Sequence, residues 1–499
     1  MNRQTRTARI LPTASASGVH ARGSMRGFAA KHERFQKNMQ GWITILFTLL
    51  ILEGLLRKAF HFLSLPLFFA KDFLVLFLGI KAFMGGLPQA SQKIFTWQII
   101  SVILVIPCFL NTLLLDPVLG TFGLKQYCLF PFAGVALCAA YLPDKKAELL
   151  KLLQYLTATL FVTTAVAVAQ NQLPPSHWLN VNPDGQSLEA FSAGGKIRVT
   201  STFSFVAQYC IYLNGILGVM AAYFFLRPGG KKRVTRLIFP LLIGACYLVA
   251  IFITGSRSSA IGAMVMTAGS MLLLMLSSGS SNALRIALMG AAFGVAYFII
   301  HAVFPDAFVA YEARSQNTVY ESHAQQIINR VSGDLLGWTD KLKHSPFLGN
   351  GIGLESNGSE KLSSYAAMMK NRWGWMESDS QTVLFEGGVY LMTIWYGFRF
   401  AIILYMAFCV ISIRDVQLAT AASFCWGFIA LGGLIGTLSI QPPLAIWWWF
   451  TVGLILCFRE YDRRNVFPAE KSDAETALSR NSRLARFAKV LRQNTQRPS

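Results

Sequence analysis

The sequence predicts an all-α polytopic membrane protein with about twelve transmembrane helices. Three observations predict it. Of 499 residues, 54% are hydrophobic and only 14% charged, with 38 phenylalanines among them. The mean hydropathy is +0.45. The apolar residues gather in blocks about 18–25 residues long, enough to cross a ~30 Å hydrocarbon core as helices.

Taken in order, residues 1–38 form an Arg-, Ser- and Ala-rich segment that reads as a basic cytoplasmic tail. Apolar spans follow near 41–56, 63–84, 96–115, 125–142, 149–170, 204–227, 235–254, 258–277 and 283–305, nine helices within 39–305. A long outer loop, 171–203, separates the fifth from the sixth. The largest loop, 306–382, precedes three more spans at 383–411, 419–439 and 443–458 within 383–458. Residues 459–499 form a second basic cytoplasmic tail, in which Leu484, Phe487 and Leu491 alternate with Arg486, Lys489 and Arg492. That spacing fits either an interfacial helix or a solvated tail.

Charge fixes the orientation. The net charge of +21 resides mainly in tails and short loops. With the N-terminus inside, Lys81, Lys93, Lys145, Lys146, Arg227, Lys231, Lys232, Arg233, Arg236, Arg285 and Arg414 all fall in cytoplasmic loops. The two long loops fall outside and mix acids with bases, as the positive-inside rule requires. This distribution argues against nucleic acid as a partner. The eight cysteines lie in or beside apolar runs with no C-x-x-C pair, so they read as small core residues. No metal-ligand spacing and no phosphate-binding P-loop occurs, so neither a metal nor a cofactor is expected. No internal repeat is visible.

Chemistry-bearing residues concentrate on the outer side. Asn329–Gly353 carries Arg330 and His344, an amphipathic stretch through Val331, Leu335, Trp338 and Leu342, then S-P-F-L-G-N-G-I-G with loop glycines Gly349, Gly351 and Gly353. Arg314 lies upstream in the same loop. Lys196 and Arg198 sit in G-G-K-I-R-V-T-S-T-F, before the sixth span. Arg257 occupies the tight turn T-G-S-R-S-S, where it faces either a bound anion or lipid headgroups. E-G-L-L-R-K (Glu53 to Lys58) and Lys71-Asp72 mark the outer ends of the first two spans and read as charges paired with each other. Arg399 lies mid-span, and the sequence names no partner for it.

The ordered set R-V-T-S-T-F, T-G-S-R-S-S and Arg330-x13-His344-S-P-F-L-G-N-G-I-G resembles the O-antigen ligase/polymerase superfamily over about residues 40–458. E-G-L-L-R-K followed by K-D resembles an exopolysaccharide polymerase-like subgroup. The chain departs from the pattern at Phe205-Val206, where Pro-Asn is usual, at Ser345 directly after His344, and at Glu377-Ser378-Asp379-Ser380, where Ala-His-Asn is usual. The resemblance implies a glycosyltransferase C-like bundle with a large helical periplasmic loop, in a bacterial inner membrane with both termini cytoplasmic. It implies metal-independent transfer of a glycan from a polyprenyl-diphosphate donor to a glycan or lipid acceptor, alongside other polysaccharide-assembly proteins. Arg198, Arg257, Arg330, Arg314 and Lys196 would then bind the diphosphate. His344 would act as base, with Asp379 or Glu377 as the alternative. A transporter or flippase for polysaccharide or lipid-linked oligosaccharide is the competing class, expected to carry charges along a mid-membrane path.

Overall fold

The computed structural model describes residues 17–192, 195–227, 233–278, 335–374, 376 and 378–466, together with scattered positions between 290 and 333. Among them there is no strand, only an isolated bridge between Val181 and Ser187. The helices are α1 (Ser17–Ala59), α2 (Ser64–Met84), α3 (Gln89–Leu115), α4 (Pro117–Cys128), α5 (Pro131–Tyr141), α6 (Lys146–Gln172), α7 (Val206–Leu226), α8 (Arg233–Ile253) and α9 (Arg257–Ser278). After the loop come α10 (Ser364–Trp373), α11 (Asp379–Ile411), α12 (Val416–Leu434) and α13 (Pro442–Val466).

Nine of the described helices are long and apolar enough to cross a membrane, or ten if α4 and α5, bent by 42°, make one span. The protein is therefore a multi-pass α-helical membrane protein. The sequence expectation of twelve differs for identifiable reasons. The expected span 125–142 is broken between Cys128 and Pro131, and the described apolar part of α8 is only Ile238–Ile253. Most of the expected span 283–305 lies outside the described residues.

Local chemistry sets the ends of these helices. Asp116 caps α4, accepting from the amides of Val118 (2.9 Å) and Leu119 (3.1 Å), with Pro117 at the first helical position. Asp415 caps α12 in the same way. Helix α13 is the centre of the bundle, 94% buried over its apolar window, against α5, α7 and α12. Helices α2 and α3 bury only 28% of theirs and turn Phe73, Phe83, Ile103 and Leu114 outward, as a lipid-facing surface does.

The bundle has two unlike ends. At one, Tyr461 donates to Tyr141 O (2.8 Å), Gln36 to Leu142 O (2.6 Å), and Lys145 pairs with Glu33 (3.7 Å). This basic end holds the amino-terminal part of α1 and the carboxy-terminal part of α13. The other, the loop end, gathers 173–205, the 254–257 turn and 345–378.

Helix α11 is not one rod. Asp379 and Arg399 lie 20 residues apart yet form an ion pair at 2.5 Å. Unbroken helix would hold them ~30 Å apart. Gly388 breaks the helix with φ 65° and ψ −168°, and the arm 379–387 folds back along 389–411. That backbone region is open essentially to glycine alone. A Cβ at Gly388 would also lie 2.1 Å from Phe347 O.

The ion pair closes the fold-back. Arg399 also donates to Ser439 Oγ (2.7 Å), while Asp379 accepts from Ser439 N (2.9 Å) and Tyr396 Oη (3.3 Å). Removing one charge of a buried pair strands the other. Arg399→Ala should therefore cost ~3–5 kcal/mol, and Arg399→Met combined with Asp379→Leu should recover most of it. Thermal unfolding of the purified chain in detergent checks this, and a double variant no more stable than the single one contradicts it.

Candidate functional site

The R-V-T-S-T-F segment is irregular backbone buried in a helical bundle, so its polar groups must find partners in the protein. Gln170, at the end of α6, provides them. Its Oε1 accepts from the amides of Thr200 (3.1 Å) and Ser201 (2.6 Å), and its Nε2 donates to Leu179 O (2.5 Å) and Thr200 Oγ1 (3.2 Å). Ser201 adopts φ 53°, rare for a residue with a side chain, and its hydroxyl donates to Thr163 O (2.6 Å). The turn is thus held from both sides.

The end of α1 completes the cradle. Leu55 N donates to Thr202 O (2.8 Å), and Lys58 Nζ donates to Leu179 O (2.9 Å) and Thr200 Oγ1 (2.7 Å). A Cβ at Gly54 would lie 2.0 Å from Phe203 C, so only glycine allows this approach. E-G-L-L-R-K is therefore the platform on which R-V-T-S-T-F rests. Its charges pair as the sequence suggests at Glu53, which meets both Lys71 (3.0 Å) and Arg57 (3.3 Å), whereas Asp72 pairs with Lys125 (2.8 Å). Arg57 also donates to Ser204 Oγ (3.3 Å), just ahead of α7.

Arg198 and the turn that carries Arg257 both neighbour one residue, Cys210. Half-buried Arg198 lies close to Cys210 in the second turn of α7. The same thiol is within reach of the Ser256, Ser258 and Ser259 side chains, the neighbours of Arg257. Arg257 is the first residue of α9, after a turn in which Gly255 takes φ 60° and Thr254 Oγ1 accepts from Ser256 N (3.0 Å). Helices α7 and α9 thus both present their amino ends, and α7 has no side-chain cap. Free amides and the helix dipole favour an anion at such ends. Beside the same segment, Arg57 and Lys71 both pair with Glu53.

The remaining candidates sit as follows. Lys196 is half-buried in the loop leading to Arg198. His344 ends a 3₁₀ turn, Thr339–His344, and its side chain lies outside the described residues, as do Arg314, Arg330 and Glu377. Asp379 is engaged as the counter-ion of Arg399 at 1% side-chain exposure, and its oxygens are taken by Arg399, Ser439 and Tyr396. The sequence held it as an alternative base. The structure gives it a structural partner 20 residues on, which a linear reading of α11 could not place.

The glycine loop docks tightly on the helices. Asn350 N and Gly351 N donate to Phe385 O (2.9 Å) and Glu386 O (3.0 Å), and Ile352 N donates to Thr112 Oγ1 (2.8 Å). Gly349, Gly351 and Gly353 all have positive φ. Cβ atoms at Gly349 and Gly353 would meet backbone at 2.2 Å and 2.7 Å. Close packing against α3, α4 and the α11 break is what these glycines do in the structure. Helix α11, on which the loop docks, also packs against α9.

Below the loop, Glu386 accepts from Tyr127 Oη (2.8 Å) and Glu355 N (2.8 Å). Among the described residues, no three His, Cys, Asp or Glu side chains lie close enough to hold a metal ion. Comparison with protein-family models and with curated proteins finds no match for the chain.

Burial raises the Glu355 carboxyl above the usual carboxylate range, opposed by its bond from Met376 N and by nearby Lys370. An acid with a raised folded pKa favours folding below its unfolded pKa and loses that contribution as pH rises through the folded pKa. Glu355→Gln, which keeps an acceptor without the charge, should therefore unfold at a higher temperature than the parent at neutral pH. The difference should vanish near pH 4, where both forms are uncharged. Melting curves across pH check this, and a pH-independent difference contradicts it.

Proposed function

We propose that the protein is an integral-membrane glycosyltransferase of the O-antigen polymerase/ligase type, acting at the periplasmic face of a bacterial inner membrane. It moves a glycan from a polyprenyl-diphosphate donor to a glycan or lipid acceptor, within polysaccharide biosynthesis. The observation that carries this reading is the meeting of Arg198 and the Arg257 turn at Cys210, beside the uncapped amino end of α7.

In the reaction, the acceptor hydroxyl oxygen attacks the anomeric carbon while the bond from that carbon to the diphosphate oxygen breaks. The diphosphate leaves with the electron pair. Guanidinium groups stay charged and bind phosphate oxygens in bidentate fashion, so Arg198 and Arg257 stabilise the charge that grows on the leaving group. His344 takes the acceptor proton, since an unperturbed imidazole pKa near 6.5 suits a base at neutral pH. Arg314, Arg330 and Lys196 add to the anion-binding set.

A lipid-linked oligosaccharide transporter is the second reading, and one observation favours it. The buried Arg399–Asp379 pair sits beside a broken helix, a feature of substrate paths in transporters. Replacement of one residue separates the two. Arg257→Ala should lower polymer or ligated-glycan formation ~10²–10³-fold and His344→Ala ~10²–10⁴-fold. In both variants, unused lipid-linked precursor should accumulate on the outer face. Precursor trapped on the inner face instead supports the transporter.

A further inference from the structure

At the basic end, a shallow notch opens between the start of α3 and the last turns of α13. Lys93 of α3 lines it together with Arg459 and Arg463, which lie one turn apart on α13. Lys93 and Arg459 are half-buried, while Arg463 is exposed at the rim. The notch itself has room for about one water, 20 Å³, so a ligand lies across its mouth and sends in a single atom.

The charges here are not balanced. Lys93 Nζ and Arg459 Nη1 both donate to Tyr405 Oη of α11, at 3.1 Å and 3.3 Å. Two like charges thus lean on one neutral oxygen, which leaves their mutual repulsion unanswered. The same Arg459 Nη1 also meets the Cys409 sulfur (3.2 Å), and its Nε is enclosed without a partner. The one carboxylate among the lining side chains, Glu460, already meets Arg464 (3.0 Å). Deep in the bundle Arg399 has Asp379 to itself, whereas three cations here surround one shared acid.

Position says which anion fits. The notch lies at the ends of α3, α11 and α13, all long and apolar enough to cross a membrane. From it towards the middle of the bundle, Ile100 of α3 and Phe400 and Leu404 of α11 are exposed, as lipid-facing residues are. A free anion would meet only the charges, but one that carries hydrocarbon chains meets both surfaces at once. Basic clusters at span ends attract anionic headgroups in this way. We propose that the notch binds the phosphate of an anionic phospholipid, in the leaflet at the basic end. One phosphate oxygen enters between Lys93 and Arg459, Arg463 closes on the phosphate from the rim, and the acyl chains run along α3 and α11. The site lies at the opposite end of the bundle from Arg198 and Arg257, and stands whether or not the chain transfers glycans.

The test is lipid titration of the full, delipidated chain in detergent, read by native mass spectrometry. Phosphatidylglycerol is compared with phosphatidylcholine of the same acyl chains. The parent should bind its first phosphatidylglycerol at least roughly tenfold more tightly than phosphatidylcholine, since each cation near an anionic headgroup contributes about fivefold. Lys93→Gln combined with Arg459→Gln should weaken phosphatidylglycerol binding roughly twenty-five-fold and leave phosphatidylcholine unchanged. Arg463→Gln, at an exposed position, should weaken it about fivefold, which keeps the test decisive if the double variant fails to fold. Arg414→Gln removes an exposed cation outside the notch and should change nothing. Equal affinity for the two lipids, unchanged binding in the notch variants, an equal loss in Arg414→Gln, or displacement of the lipid by inorganic phosphate at matched concentration each overturns the proposal.

Discussion

Irregular backbone inside a helical membrane bundle must find its hydrogen bonds among neighbouring helices, since lipid offers none. Both segments of the candidate site are built under that constraint. Thr200 and Ser201 are held by Gln170, Thr202 by Leu55, and the approach requires Gly54. The glycine loop is held by Phe385, Glu386 and Thr112, and that approach requires Gly349 and Gly388. Positioning for any chemistry at the loop end follows from these contacts, because a group on a loop bonded in this way has little freedom to move.

The fate of the arginines differs with depth. Arg399 lies within the bundle and is matched by Asp379, as a charge in a dry interior must be. At the loop end Arg57 and Lys71 share one carboxylate, Glu53. Buried cations balanced by acid serve the fold. Arginines beside helix amino ends are suited to bind an anion.

Much of this was legible in the sequence. Apolar block length identified the class of fold, and the order of the described helices follows the expected spans. The charge pairing at Glu53 and Lys71 was also foreseeable from matching depth. The fold-back of α11 was not, because 383–411 reads as one apolar run and hydropathy carries no information on direction within it. Its signals were local, namely Glu386 inside an apolar stretch followed by Gly387-Gly388. Pro131 likewise marked the α4–α5 break. The role of Gln170 was invisible, since one glutamine at a helix end says nothing about which distant amides it meets. The sequence marked Gly349, Gly351 and Gly353 as loop glycines but not what they pack on, which is helix backbone and side chains of α3, α4 and α11.

The central claim is that the loop end holds a diphosphate through its guanidinium groups. Equilibrium binding of a polyprenyl diphosphate to the purified chain tests it most directly, against the Arg198→Ala, Arg257→Ala double variant and with the monophosphate as control. Hydrogen bonds to charged groups contribute ~1.5–3 kcal/mol each, so the double variant should bind at least ~100-fold more weakly. The parent should also prefer diphosphate to monophosphate. Equal affinity in parent and double variant would contradict the account.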